Sequence, residues 1–140
     1  MHSRPSVGAC RFVTLPRIGD DRGALTVVEG GRHIPFAIER IYFLSDVPTG
    51  AQRGGHAHKA LQQLFIAISG AFDLVLQDGT ETRRIRLDTP HQALHVGPMI
   101  WRELEGFTEG AVCLVLASAP YDEADYYRDF DEYLRAVRPG

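Results

Sequence analysis

Two histidines stand two residues apart in the run Arg53-Gly54-Gly55-His56-Ala57-His58. In an extended strand that spacing points both imidazoles to the same face. An unperturbed imidazole titrates near pH ~6.5, so a pair of them in an enclosed pocket can take up and return a proton at neutral pH. Two imidazoles are also the beginning of a metal site, which needs three or four converging donors. One histidine on a strand is ordinarily structural or exposed; two on one face, framed by glycines and an arginine, are less often so. The apolar run Leu61 to Ser69 follows and Gly70 ends it, so the segment reads as the pocket wall of a small β-barrel.

The rest of the chain reads as the strands such a pocket needs. Cys10 to Leu15 is a short first strand placed at an edge by Pro16, which cannot donate to a ladder. Asp20-Asp21-Arg22-Gly23 is a turn, and Ala24 to Glu29 a Val- and Thr-rich strand. Ile38 to Val47 is the next, with Arg40, Tyr42 and Leu44 on one face and Ile41, Phe43 and Ser45 on the other. Leu61 to Ser69 and Ala71 to Gln77 look like a hairpin hinged at Gly70. Phe72, Leu74 and Leu76 alternate there with Asp73, Val75 and Gln77, the mark of a half-buried strand. Asp78-Gly79 is a short turn, and strands are expected at 81–88, 93–96, 100–104 and 111–118. The tail, 122–137, lacks alternation. Tyr126, Phe130 and Leu134 recur four apart as on one helix face, ending at Arg138-Pro139-Gly140. Its tyrosines read as packing residues. The sum is an all-β, antiparallel jelly-roll barrel with a short C-terminal helix.

Composition narrows the function classes. A length of 140 residues suits a single domain, 1–140, with a real core, and 44% apolar residues exclude a disordered chain. The longest apolar runs fall far short of a membrane span, and residues 1–20 lack the apolar segment of a signal peptide. Cys10 and Cys113 are too few for a disulfide framework and fit a reduced cytoplasm. A net charge of −3 with no basic run argues against nucleic acid as the partner. His2, His33, His91 and His95 lie outside any motif and read as surface or structural.

His-x-His before an apolar strand and a glycine resembles the first motif of the cupin barrels. There a glutamate follows the histidines, and here its position holds Gln63, with Gly70 at the right distance. The second cupin motif carries a further histidine, but in Val96-Gly97-Pro98-Met99-Ile100-Trp101-Arg102-Glu103 that position holds Ile100 or Trp101. The donor set is short of a carboxylate and an imidazole, so no metal is expected and acid–base chemistry is the better use of the pair.

Across nearly the whole chain the sequence resembles the nucleotide-linked sugar 3,4-ketoisomerases that act on dTDP-4-keto-6-deoxyglucose. The likeness is carried by DDRGALTVVE, IPFAIERIYFL, QRGGHAHKALQQLFIAISGAFDLVLQDG, VGPMIWREL and LASAPYDEADYYRDFDEYL. It implies a cupin-like fold, no cofactor, and a homodimer, often formed by exchange of N-terminal strands. It also implies removal of the C3 proton beside the C4 ketone, an enediolate, and protonation at C4.

By this resemblance His56 matches the catalytic base, and His58 a proton shuttle or substrate-binding group. Tyr42 matches a phenol that donates to the oxyanion or relays a proton. Arg53 and Arg40 would stabilise negative charge on sugar or pyrophosphate oxygens. Arg22 suits the pyrophosphate, since a guanidinium can bind two oxygens at once. Trp101 would stack on thymine or else fill the core. Gln63 would hold the pocket network. The sequence departs from the usual pattern at Gly55, often a larger residue, and at Arg102, often a histidine; both bear on pocket shape and product stereochemistry. The rival readings are a dTDP-sugar 3,5-epimerase, a silent sugar-nucleotide-binding cupin and a metal-dependent cupin oxygenase.

Overall fold

Alternating apolar and polar residues, punctuated by glycine and proline turns, fold here into two facing antiparallel sheets. The computed structural model describes residues 4–138. The strands are β1 (Arg11–Thr14), β2 (Arg17–Asp20), β3 (Gly23–Thr26), β4 (Arg40–Leu44), β5 (Arg53–His58), β6 (Gln63–Ser69), β7 (Phe72–Gln77), β8 (Thr82–Leu87), β9 (Gln92–Val96), β10 (Trp101–Glu105), β11 (Val112–Ala117) and β12 (Tyr126–Tyr127). Helix α1 (Phe130–Val137) follows them. One sheet runs β1-β9-β6-β11-β4 and the other β12-β5-β10-β7-β8, while β2 and β3 pair only with each other. The expected jelly-roll architecture is present.

The core between the sheets is built from alternate residues of each strand, among them Phe65, Phe72, Leu74, Leu76, Leu94, Leu104 and Val115. Strand β6 reads as a continuous apolar run because both its faces are covered. Phe65 and Ala67 enter the central core. Leu64 and Ile66 meet Leu15, Ile34 and Phe36, which cover the sheet's outer face. On the other sheet, α1 lays Tyr133 and Val137 against Ala57 and Trp101. Ala57 therefore faces the helix, and the histidines on either side of it face the barrel interior.

Three local expectations differ from the structure. Strands β6 and β7 do not form a hairpin: β6 pairs with β9 and β11, and β7 with β8 and β10. Gly70, at φ 64°, carries the chain from one sheet to the other instead. Second, Arg17–Asp20 forms a strand, so the Asp-Arg turn joins the hairpin β2–β3. Third, the tail is not one helix. Asp129 caps α1 by accepting from the Asp131 and Glu132 amides, so the helix begins only at Phe130. Tyr126 and Tyr127 pair with His58 and Ala57 as an edge strand. The tail's last expected residues, Pro139 and Gly140, lie outside the described residues, as does His2.

Gly70 admits no side chain. A Cβ there would stand 2.5 Å from Thr108 Oγ1 and 2.9 Å from the Ala111 Cα, at a backbone conformation that itself costs roughly 1–3 kcal/mol for a non-glycine residue. Gly70→Ala is expected to destabilise the protein by at least ~2 kcal/mol in urea unfolding, by strain and overlap together.

Candidate active site

Strand β5 carries the histidine pair and is bent to aim it. Gly54 and Gly55 both have positive φ, 93° and 63°. The register against β10 slips here: Arg102 faces His56 and Glu103 faces Gly54. This is a β-bulge, which re-aims the side chains that follow it. Gly54 has no room for a Cβ, which would lie 3.1 Å from the Arg102 carbonyl and 3.2 Å from the Glu103 Cα. Beyond the bulge the two imidazoles meet edge to face, ring centres 4.9 Å apart.

His58 is the deeper ring, 1% exposed. Its Nδ1 lies 2.9 Å from an Asp125 carboxylate oxygen, and the other oxygen of that carboxylate accepts from the Ala60 amide. An ionised carboxylate only accepts, so the His58 proton sits on Nδ1. Its Nε2 is left buried without a partner. The Tyr126 ring closes over both imidazoles, 5.0 Å from His56 and 4.4 Å from His58, and the Arg128 guanidinium lies 4.1 Å above its centre.

His56 opens onto a cavity of about 410 Å³ lined also by Arg40, Tyr42, Arg53, Tyr126 and Arg128. That volume falls in the range of roughly 300–1,000 Å³ typical of small-molecule sites. Three guanidiniums at its wall suit an anionic ligand. His58 and Asp125 line a smaller cavity of about 180 Å³ that shares Arg40 and Tyr126 with the first. Behind the large cavity a buried chain of polar groups crosses the barrel. Arg102, 0% exposed, donates to Gln63 Oε1 at 2.5 Å, and Gln63 Nε2 donates to the Tyr42 hydroxyl at 3.0 Å.

These surroundings keep the rings neutral. Burial foremost, then the Arg102 cation, pushes the His56 pKa down to about 4, against a Gly54 backbone hydrogen bond that raises it. Burial, Arg102, His56, Arg40 and Arg128 push His58 down to about 2. The Asp125 carboxylate pulls the other way at His58, but burial and the surrounding cations prevail. Burial also raises the Tyr42 pKa, so its phenol keeps its proton at neutral pH. Among the described residues, no group of three or more His, Cys, Asp or Glu side chains is arranged to hold a metal ion.

The sequence-predicted residues do not all come together. His56, Tyr42, Arg40 and Arg53 line one cavity, and His58 stands behind His56. Gln63 is 0% exposed and bonded only within the buried chain, so it supports the pocket network and does not itself line the cavity. Of the two readings of Trp101, the structure favours the core. Trp101 is 6% exposed, with Phe130 edge-on at 5.1 Å and Tyr133 at 5.6 Å, and fills the space under α1, which leaves it no face for a base. Arg22 is 86% exposed on the β2–β3 turn, paired with Asp20 and outside the cavity lining. A helical reading of the tail hides Asp125, Tyr126 and Arg128, which the structure places at the histidines. The signal for them was the poor helical periodicity of 121–127, where only Tyr126 fits the four-residue spacing.

A jelly-roll with a paired-histidine pocket in one of its sheets defines a cupin-type protein. Within that class the chain belongs to the family described as FdtA: WxcM-like, C-terminal, which matches residues 8–138. It is 38% identical over 127 residues, 91% of each chain, to a TDP-4-oxo-6-deoxy-alpha-D-glucose-3,4-oxoisomerase of Aneurinibacillus thermoaerophilus. A His-to-Asn variant of the 3,4-ketoisomerase QdtA of Thermoanaerobacterium thermosaccharolyticum, in complex with TDP-4-keto-6-deoxyglucose, superposes with a TM-score of 0.91. It shares 40% identity, covering 92% of this chain and 94% of that one. The WlaRB TDP-quinovose 3,4-ketoisomerase of Campylobacter jejuni gives 0.88 at 42% identity, covering 92% and 99%.

The depressed histidine values set an acid limit on stability. From the ordinary 6.5 down to 4, the unfolded chain binds more protons at these rings than the native protein does. Their stabilising contribution is therefore complete above pH 6.5 and is lost as pH falls through 4, with His58 extending the decline. The urea midpoint is expected to drop steadily from pH 6.5 to 4, and less steeply in a His56→Gln/His58→Gln variant. Equal slopes in the two proteins contradict this.

Proposed function

We propose that this chain is a 3,4-ketoisomerase that converts a TDP-linked 4-keto-6-deoxyglucose to the 3-keto-6-deoxyhexose through its own side chains, without a metal. The observation that carries the reading is the neutral His56 imidazole on a cavity walled by Tyr42 and three guanidiniums. Relatives 38–42% identical that carry the same activity in their names support it.

In this reading His56 takes the hydrogen from C3, and the electron pair moves onto the C4 oxygen to give an enediolate. Tyr42 donates to that oxygen, with Arg40 or Arg53 beside it to stabilise the charge. His58, behind His56 and with a free Nε2, relays a proton for delivery to C4. The C3 hydroxyl proton leaves as the C3 carbonyl forms. The net change moves one hydrogen from C3 to C4 and one from the C3 oxygen to the C4 oxygen. Asp125 holds His58 in the tautomer that leaves Nε2 able to accept.

A homodimer with exchanged N-terminal strands fits two exposed apolar surfaces. Strand β4 ends its sheet and turns Ile41, 60% exposed, and Phe43, 63% exposed, outward. The hairpin β2–β3 belongs to neither large sheet and exposes Ile18 and Leu25. Addition of one copy's hairpin to the other's β4 edge satisfies the open edge and covers both surfaces. Among the described residues no helix is long and apolar enough to cross a membrane. We place the enzyme in the cytoplasm, where the sugar nucleotide would be made.

His56→Asn is expected to lower turnover by roughly 10²–10⁴-fold with little change in TDP affinity. NMR of the product formed in heavy water tests the reaction itself. A 3-keto sugar without label at C5 supports ketoisomerisation, and label at C5 points to the epimerase instead. Phe43→Asp is expected to turn a dimer into a monomer in light scattering; a wild-type monomer overturns the exchange.

A further inference from the structure

The hydrogen that Tyr42 hands to the substrate can point either into the cavity or back into the barrel. Two buried residues, Arg102 and Gln63, decide between the two. Arg102 has only N–H donors. Its Nε and Nη2 donate to the Ile100 carbonyl at 3.2 and 2.8 Å, and Nη1 donates to Gln63 Oε1. A donor-only neighbour captures the carbonyl end of the Gln63 amide. The amide nitrogen must then face the other way, toward the Tyr42 oxygen at 3.0 Å.

The phenol oxygen thus receives a hydrogen from inside the barrel. Among the described residues this is the Tyr42 hydroxyl's hydrogen bond, and it leaves the phenol's own hydrogen uncommitted. The cavity that Tyr42 lines offers space for it. Gln63 does not reach that cavity itself.

We propose that Gln63, its amide locked by Arg102, is a positioning residue that makes Tyr42 a hydrogen-bond donor toward the substrate's C4 oxygen. The proposal rests on the ketoisomerase reading for the identity of that oxygen, but not for the direction of the hydrogen.

Gln63→Glu tests it with a side chain of nearly the same size. A carboxylate only accepts, so it pairs with Arg102 and takes the Tyr42 hydrogen, reversing the bond. With chelator present, because a glutamate near two histidines adds a metal donor, kcat is expected to fall roughly 10- to 100-fold. KM should stay within about threefold and the melting temperature should not fall. Tyr42→Phe should lose a similar factor, and the double variant no more than the worse single one. Independently of activity, the Tyr42 ¹³Cζ resonance in ¹³C-tyrosine-labelled protein, assigned by its absence in Tyr42→Phe, should shift in Gln63→Glu as the phenol becomes a donor to a carboxylate.

Wild-type kcat in Gln63→Glu, losses that multiply in the double variant, or an unmoved resonance overturns the proposal. If the wild-type protein does not isomerise the keto sugar, the reaction reading fails on its own. The resonance still reports which way the hydrogen points, including for a Gln63→Leu variant, which removes the amide donor without supplying an acceptor, should Gln63→Glu not fold.

Discussion

A charged guanidinium held inside a β-barrel by carbonyl oxygens organises this site. Arg102 is 0% exposed, and its partners are the Gln63 amide oxygen, the backbone carbonyl of Ile100 and, at 3.5 Å, that of Gly97. Moving such an ion out of water costs several kcal/mol. Hydrogen bonds to a charged group return roughly 1.5–3 kcal/mol each, so three good ones offset most of that. The charge survives: burial lowers the Arg102 pKa only to about 10. Because its partners are neutral, its field is not cancelled locally and reaches both imidazoles.

The remaining geometry follows from how two sheets and a tail converge on β5. The glycine bulge orients the histidines, β4 supplies Arg40 and Tyr42, and β12 lays Tyr126 across both rings. Helix α1 contributes nothing to the cavity directly. It packs Tyr133 and Val137 behind Ala57, so the strand cannot yield away from the barrel. The Tyr133 hydroxyl adds contacts of 3.0 and 2.9 Å to the Gln77 and Met99 carbonyls.

Much of this was legible in the residues. Alternation along 72–77, the outward and inward faces of 40–44, and the shared face of His56 and His58 all follow from a period of two, which local sequence carries fully. What local sequence does not carry is which strand pairs with which. Leu61–Ser69 and Ala71–Gln77 look like a hairpin because a glycine separates two strands, yet Gly70 serves a change of sheet. Tyr126 fits a helical spacing with Phe130 and Leu134, yet pairing with His58 places it in a strand. Trp101 stays open between base stacking and core in the sequence for a related reason: on a strand covered on both faces, residue type alone does not say which face meets the ligand.

The Asp125 carboxylate holds the His58 ring with one oxygen and the Ala60 amide with the other, joining positions 67 and 65 residues apart. A chain still emerging from the ribosome presents both imidazoles long before it presents their carboxylate. The acceptor that fixes the His58 ring therefore arrives late in synthesis, with the closing segment, and a polypeptide clipped before Asp125 lacks it.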